Sequence, residues 1–391
     1  MSNLPKGWEL VETGTVTIVG AGTGFKPDFQ GFTDREIPFY KVSDMNLLGN
    51  EMFMTEANNY VDSEDLKVLK AKTFPNNTLI FPKVGAALLT NKRRILTKDS
   101  CVDNNIMTLT PIENKINPIF LYSLYLQIDF NDLSNDGALP SLNGSQVKKI
   151  MIPLPPLEEQ KKIADILSTV DKKIAFIEEN INATEELKKG LMQKLLTEGI
   201  GHTEFKDSEL GRIPESWEVD IIENLATVIT GSKDTQNKVD NGNYPFFVRS
   251  DTVERINTYS FEGEAVLTSG DGVGVGKIFH YVNCKFDYHQ RVYNIHNFKS
   301  NILGKYFYEF FKANFYSRVS RLSAKNSVDS VRREMITKMN ILIPPLEEQK
   351  QIAEILSTVD NKLENLKEKK LFFEELKKGL MQKLLTGEVR V

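Results

Sequence analysis

Side chains suited to metal binding lie close together in the second half of the chain: His280, Cys284, His289 and His296. Imidazole and thiolate groups are preferred zinc ligands. The spacings of these residues match no common zinc pattern, so packed or surface side chains are the favoured interpretation. The first 200 residues contain no histidine, which excludes a histidine-based active site present in both halves. We therefore expect no metal site and no duplicated catalytic centre.

Two glycine-rich stretches have the composition of phosphate-binding loops. The stretch "VTIVGAGTG" ends before Phe25, where a dinucleotide-binding turn needs glycine, and Pro27 prevents the helix start that would bind phosphate. The stretch "GDGVGVGK" begins at Gly270 and is followed by Ile278, where magnesium binding needs Ser or Thr. We therefore predict a plain turn for the first stretch and a mobile loop for the second.

A third stretch, "NPIF" at Asn117, resembles the Asn-Pro-Pro-aromatic loop of amino-methyltransferases, although Ile119 replaces the second proline. About 150 residues are also too few for a methyltransferase core and its own DNA-reading domain. A free-standing DNA adenine methyltransferase remains the alternative enzyme class. Binding of S-adenosylmethionine by this chain alone would favour it.

Positive charge is concentrated in two segments, although the net charge is −4. Residues 83–98 hold five Lys or Arg and no acid, and residues 299–338 hold nine against three acids. Clustered Lys and Arg contact phosphate, and Arg can also read base edges. Charge and loop placement together give the candidate DNA-binding residues, of which Arg249, Lys277 and Arg291 lie outside these two segments: Lys83, Lys92, Arg93, Arg94, Lys98, Arg249, Lys277, Arg291, Lys325, Arg332 and Arg333. Ordinary surface charge is the alternative for each of them.

The C-terminal part of each half is an internal repeat. Residues 155–197 align without gaps to residues 344–386, with 30 identities in 43 positions. A fainter repeat precedes each copy, since "LPKGWEL" corresponds to "IPESWEV" and contains the chain's tryptophans, Trp8 and Trp217. The order is therefore domain, helix, domain, helix.

Each copy predicts one long helix with an apolar heptad seam. Pro156 and Pro345 suit a first helical turn, and the glutamates that follow favour the positive end of the helix dipole. Because an isolated apolar seam would face water, we expect the two helices to pair as an antiparallel coiled coil with pseudo-twofold symmetry. The predicted seam residues are Ile163, Leu167, Val170, Ile174, Ile177, Ile181, Ile352, Leu356, Val359, Leu363, Leu366 and Phe373.

Length and composition predict an α+β protein with two domains. A chain of 391 residues exceeds one ordinary hydrophobic core. The predicted division is domain 1 at 1–154, helix 1 at 155–197, a linker at 198–212, domain 2 at 213–343 and helix 2 at 344–391. Two cysteines, no signal peptide and no long apolar run indicate a reducing, cytoplasmic setting.

The repeated segments resemble the specificity subunit of type I restriction-modification systems. The resemblance rests on "IPLPPLEEQKKIADILSTVD", "ELKKGLMQKLLT", "FKDSELGRIPESWEV" and "LLTGEVRV" and covers nearly the whole chain. It implies two target-recognition domains that each read half of a bipartite double-stranded DNA site, with the helices setting the gap.

The same resemblance implies that the chain has no catalytic activity and no cofactor of its own. Two modification methyltransferase subunits would bring S-adenosylmethionine, and restriction subunits would bring ATP and Mg. A coiled-coil scaffold with no DNA role is the remaining alternative. It would show no sequence-dependent and no salt-dependent DNA binding.

Overall fold

The computed structural model describes residues 4–133, 140–272, 274–322 and 330–391. The chain forms two compact units. The first unit comprises Met1–Ile177 and Lys369–Val391, and the second unit comprises Glu178–Glu368. Each unit combines a mixed helix and sheet domain with parts of two long helices, which confirms the α+β prediction.

Short strands and helices build the domain of the first unit. Its strands are β1 Glu9–Glu12, β2 Thr17–Ala21, β3 Ile37–Tyr40, β4 Phe53–Met54, β5 Tyr60–Val61, β6 Leu79–Pro82, β7 Arg94–Leu96, β8 Cys101–Val102, β9 Ile106–Pro111 and β10 Met151–Leu154. Its helices are α1 Thr13–Val16, α2 Ser63–Leu69, α3 Gly85–Leu89, α4 Pro118–Leu126 and α5 Gly144–Lys148, followed by the long helix α6 Leu157–Leu195.

A five-stranded sheet is the centre of this domain, in the order β2-β9-β6-β7-β4. Strands β5, β3 and β8 form a second sheet, and β1 pairs with β10 just before α6. Apolar runs such as "LIF" in β6 are buried, and α4 packs its aromatic residues into the same core. Asn117 caps α4, and Pro118 occupies its first turn.

The second unit repeats this plan with longer strands. Its strands are β11 Phe205–Ser208, β12 Gly211–Pro214, β13 Glu218–Ile221, β14 Thr227–Thr230, β15 Tyr244–Phe247, β16 Val253–Ile256, β17 Phe261–Ser269, β18 Phe279–Tyr288, β19 Val292–His296 and β20 Asn340–Ile343. Its helices are α7 Ile222–Leu225, α8 Gly304–Leu322, α9 Arg333–Thr337 and the long α10 Leu346–Thr386.

The main sheet of the second unit has the order β14-β19-β17-β18-β15-β16. Strand β13 pairs with β20 just before α10, in the same way that β1 pairs with β10 before α6. Strands β11 and β12 form a hairpin that begins in the segment predicted as a linker, 198–212, and extends two residues past it.

The long helices run antiparallel within each unit. In the first unit Glu159 bonds Arg390 at 2.7 Å and Asp171 bonds Lys377 at 2.5 Å, so residue numbers fall along one partner as they rise along the other. In the second unit Glu185 pairs with Lys367 and Lys188 pairs with Asp360. The predicted antiparallel pairing is therefore confirmed.

Each domain core also contains parts of both long helices. In the first unit, Ile163 and Leu167 of α6 and Leu384 of α10 join one buried cluster with the domain. In the second unit the equivalent cluster contains Leu195 of α6 and Ile352 of α10. The repeated helix is thus part of two cores, which accounts for the strong identity at both of its ends.

Candidate nucleic-acid interface

A tryptophan and a glutamate hold each long helix to its domain. In the first unit Trp8 Nε1 donates to Glu159 Oε2 at 3.2 Å, and in the second unit Trp217 Nε1 donates to Glu348 Oε2 at 2.9 Å. Both glutamates are buried. The repeated "PPLEEQK" thus places the same carboxylate beside the same indole in both units.

The next residue of that motif, a buried glutamine, bonds the domain backbone. Gln160 Nε2 donates to Pro155 O at 2.9 Å and Lys115 O at 3.2 Å, and its Oε1 accepts from Asn117 N at 2.9 Å. Gln349 makes the equivalent bonds to Pro344 O, Asn301 O and Leu303 N. We name these sites the first joint (Trp8, Glu159, Gln160) and the second joint (Trp217, Glu348, Gln349).

The end of the opposite helix completes each joint. Gly387 follows α10 with φ +77°, and a side chain there would come within 2.4 Å of Pro5. Gly199 follows α6 with φ +67°, and a side chain there would come within 2.2 Å of Glu348 Oε1. In the first joint the Arg390 guanidinium bonds Glu159 and holds the pKa of this carboxyl below its usual range.

A second repeated feature is a turn that precedes β9 in the first unit and β19 in the second. We name residues 103–106 the Asp103 turn and residues 289–292 the His289 turn. Ile106 N donates to Asp103 O at 3.1 Å, and Val292 N donates to His289 O at 2.9 Å. The backbone carbonyl of the third residue of each turn accepts a hydrogen bond from the residue that follows a neighbouring strand. Lys83 N, after β6, donates to Asn105 O, and Gly270 N, after β17, donates to Arg291 O.

The first residue of each turn fixes the backbone with its side chain. Asp103 Oδ1 accepts from Asn105 N at 2.8 Å, and His289 Nδ1 accepts from Arg291 N at 2.9 Å. Both side chains are buried, and burial raises the pKa of Asp103 and lowers the pKa of His289. The imidazole is therefore neutral with its proton on Nε2, which lies 3.8 Å from Asp234 Oδ2.

In the first unit the Asp103 turn borders an open groove of about 640 Å³. The polar side chains that line it are Lys83, Asn104, Asn105, Ser141, Asn143, Ser145 and Lys148. Amides and hydroxyls that can bond base edges thus lie beside two lysines that can contact phosphate.

In the second unit arginines surround the His289 turn. Asp271 accepts from Arg249 Nη1 at 3.2 Å and lies 3.6 Å from Arg291 Nε. The backbone of Asp271 also pairs with that of Ser330 in an isolated antiparallel β-bridge, and Arg332 and Arg333 follow Ser330 closely in the chain. We name Arg249, Arg291, Arg332 and Arg333 the arginine cluster. All four are exposed, although Arg333 Nε donates to Val228 O.

The basic residues predicted in the first unit have different surroundings. Lys83 lines the groove, Lys98 is exposed at 5.5 Å from the Tyr60 ring, and Lys92 bonds Asn46.

Arg93 and Arg94 both bond backbone carbonyls of the fold, which argues against the prediction that they contact DNA. Arg93 is 2% exposed, stacks on Phe130 at 3.8 Å and bonds backbone carbonyls of Asn91 and Ile128, so DNA cannot reach its guanidinium. Arg94 is half-buried and donates to Arg93 O and Met45 O. Burial lowers the pKa of both groups.

In the second unit the predicted residues Arg249, Arg291, Arg332 and Arg333 come together in the arginine cluster. Lys277 is exposed and lies 5.8 Å from the Tyr316 ring. Lys325 lies outside the described residues.

Most of the predicted seam residues are buried in their own unit. The exceptions, Ile174, Leu366 and Phe373, are half-buried. The buried ones are Ile163, Leu167, Val170, Ile177, Ile181, Ile352, Leu356, Val359 and Leu363.

The motif lookalikes have structural explanations. A side chain at Gly22 would come within 2.1 Å of Val102 O and Asp103 O, so this glycine permits close backbone approach. Gly231 has the same role against Tyr288 O in the second unit. The Asn117 amide oxygen caps α4 through Ile119 N and Phe120 N. Over the described residues no group of three His, Cys, Asp or Glu side chains could hold a metal ion.

Charge in the sequence does not indicate four further candidate residues, because all of them are uncharged amides: Asn104, Asn105, Asn143 and Gln290. A signal was present in the runs "DNN" and "HQR", which stand directly before equivalent buried strands. Their equivalence follows only when the register of β9 and β19 is known.

The fold and its repeated sites define a protein of the type I restriction-modification DNA specificity family. The family model matches residues 5–186 and 214–372, so the chain belongs to this family. Membership identifies it as a DNA-recognition subunit of a restriction-modification system and not as an enzyme. No helix in the described parts of the chain is long and apolar enough to cross a membrane.

Individual relatives agree with this assignment. The type I restriction enzyme MjaVIII specificity subunit of Methanocaldococcus jannaschii is 33% identical over 73% of this chain and 74% of its own length. The type I restriction-modification S subunit from M. genitalium shares the fold with a TM-score of 0.67 and 12% identity, over 98% of this chain and 97% of that one. A chain from a structure of type I system assembly and conformational transition gives a TM-score of 0.55 with 16% identity, over 100% of both.

Proposed function

We propose that each unit reads one half of a bipartite double-stranded DNA site. The observation that carries this proposal is one backbone turn, present in both units with different side chains, in a chain of the DNA specificity family. A common turn with different side chains suits two readers of different sequences. Sequencing of methylated adenines measures the bases of each half-site and the length of the gap between them.

The proposed contacts separate into phosphate and base contacts. Lys83 and Lys148 in the groove, with the exposed Lys98 and Lys277, suit phosphate. The turns and the arginine cluster suit base edges. Lys92 stays a proposed peripheral contact, whereas Arg93 and Arg94 leave the proposed set. Domain limits of 1–154 and 213–343, helices at 155–197 and 344–391 and a linker at 198–212 also belong to this proposal.

The long helices are proposed to set the gap between half-sites and to dock two modification methyltransferase subunits. Exposed apolar side chains on the helices support docking, since Leu371 and Phe372 are 62% and 61% exposed and Leu187 is 52% exposed. The methyltransferase subunits would bring S-adenosylmethionine, and restriction subunits would bring ATP and Mg. We propose a cytoplasmic setting, where such a complex meets cellular DNA.

A matched deletion in both helices tests the spacing role. Residues 174–180 of α6 and 368–374 of α10 each form one heptad, so their removal keeps the seam in register. Because seven residues rise about 10 Å, the gap should shorten by about 3 base pairs while both half-site sequences persist. Sequencing of methylated adenines in cells that carry the subunit with its methyltransferase partner gives the site. An unaltered gap contradicts the spacing role, and the absence of sequence-dependent and salt-dependent DNA binding favours the scaffold alternative.

A further inference from the structure

The two turns differ in base preference at their third residue, an asparagine against an arginine, whereas their second residues both carry a carboxamide. The middle positions are Asn104 and Asn105 in the Asp103 turn and Gln290 and Arg291 in the His289 turn. A carboxamide matches N6 and N7 of adenine, whereas a guanidinium matches O6 and N7 of guanine. The backbone that presents them is the same, so the side chains alone distinguish the two surfaces.

The asparagines of the Asp103 turn are available for a ligand. Both are exposed, and within the described part of the chain their side-chain amides make no hydrogen bond. The backbone beneath them is fixed by Asp103 Oδ1 and by Lys83 N. The amides therefore stand on a rigid turn, beside the lysines of the groove.

The guanidinium of Arg291 is available for a ligand. Its side chain is 66% exposed, and Asp271 Oδ2 lies 3.6 Å from Nε. A carboxylate at Nε leaves the two terminal nitrogens for a pair of parallel hydrogen bonds. Asp271 also bonds Arg249, which brings a second positive charge to the same place.

The same contrast recurs at a second pair of equivalent positions. Asn143 precedes α5 and lines the groove, whereas Arg332 precedes α9 in the arginine cluster. The Asn143 oxygen accepts from Gln146 N, and the Arg332 side chain makes no cap hydrogen bond. An amide in the first unit is again replaced by a guanidinium in the second.

From these contacts we propose that the first unit reads an adenine-containing half-site through Asn104 and Asn105, and the second unit a guanine-containing half-site through Arg291. This inference rests on the proposed function and assigns a base to each reader. In this proposal Arg249 and Arg332 contact the phosphates or bases next to the guanine that Arg291 reads.

Selection from a randomised DNA duplex library with the complex of this chain and its methyltransferase partner tests the proposal. Arg291→Lys keeps the charge but loses the planar pair of donors, so it should lower the preference for guanine at one position by about 5- to 150-fold. Asn104→Ala with Asn105→Ala should relax one or two adenine positions in the other half-site. The matched controls Arg212→Lys and Asn76→Ala change exposed residues outside both sites and should leave the motif unchanged.

The outcomes separate the two proposals. If the wild-type complex selects no bipartite motif, the proposed function fails. If it selects a bipartite motif that Arg291→Lys and the asparagine variant leave intact, or weaken equally for all sequences, only the base assignment is overturned. A loss of guanine preference in the half-site that the asparagines also control likewise overturns the assignment of one base to each unit.

Discussion

The joints and the turns show two different results of the same duplication. In the joints both backbone and side chains recur, since Gln160 and Gln349 each bond one backbone N–H and two carbonyls. In the turns the backbone recurs, but Asn105 is replaced by Arg291. The buried side chains of the joints have thus stayed alike, whereas in the turns both the buried first residue and the exposed residues that follow it have changed on a common backbone.

The largest expected effect comes from breaking a joint. Gln160→Leu leaves Pro155 O, Lys115 O and Asn117 N without buried partners, and Gln349→Leu does the same in the second unit. Each variant should lower the free energy of unfolding by about 3 kcal/mol in urea denaturation. Because the contacts match, the two losses should agree within about 1 kcal/mol.

The exposed Gln193→Leu is the control for these variants and should change stability by less than about 0.5 kcal/mol. Clearly unequal losses for Gln160→Leu and Gln349→Leu would show that the joints are not equivalent.

A smaller effect should follow removal of the buried arginine, which separates structure from binding in the first unit. Arg93 has a pKa lowered to about 10 by burial, so it stays charged at neutral pH, over Phe130. Arg93→Ala leaves two carbonyls without a donor and should cost about 2 kcal/mol of unfolding free energy. The salt dependence of DNA binding should stay unchanged; a flatter slope would return Arg93 to the interface.

Sequence reasoning succeeded where local pattern determines structure and failed where distant residues meet. The heptad seam and the Pro-Glu start specify the long helices, because both signals lie within a few turns. The first joint brings Trp8 to Glu159, and Arg93 is buried against Phe130, so both contacts join residues that are distant in the sequence. A local count of charge therefore predicts neither contact. The turns become comparable only through strand register, which the sequence does not contain explicitly.

A modest effect is expected from the ion pair between Arg390 and Glu159 in the first joint, where the second joint instead places His202 Nε2 at 2.8 Å from Glu348 Oε1. The hydrogen bond from Arg390 is the main cause of the lowered pKa of Glu159. A carboxylate with a lowered pKa stabilises the fold above its unfolded pKa, and this contribution is lost as pH falls through the folded value. Arg390→Ala should therefore raise the pKa of Glu159 and shift the loss of stability to higher pH.

An NMR titration of the Glu159 carboxyl, together with acid unfolding, measures this change. Glu158, whose lowered pKa depends on Lys161, is the internal control and should titrate as in the wild type. A pKa of Glu159 that does not move would mean that Trp8 and burial, and not Arg390, set the ionisation of the joint.

The smallest effect on stability should come from exchanging the turn residues. Asn104→Gln with Asn105→Arg gives the first unit the side chains of the second, while Asp103 Oδ1 and Lys83 N still fix the backbone. Because the exchanged side chains are exposed, unfolding free energy should change by less than about 0.5 kcal/mol. In a duplex selection, a guanine should appear in the first half-site and the second should stay the same. A loss above about 1 kcal/mol would show that these side chains help to build the turn, and an unchanged motif would place base reading elsewhere in the unit.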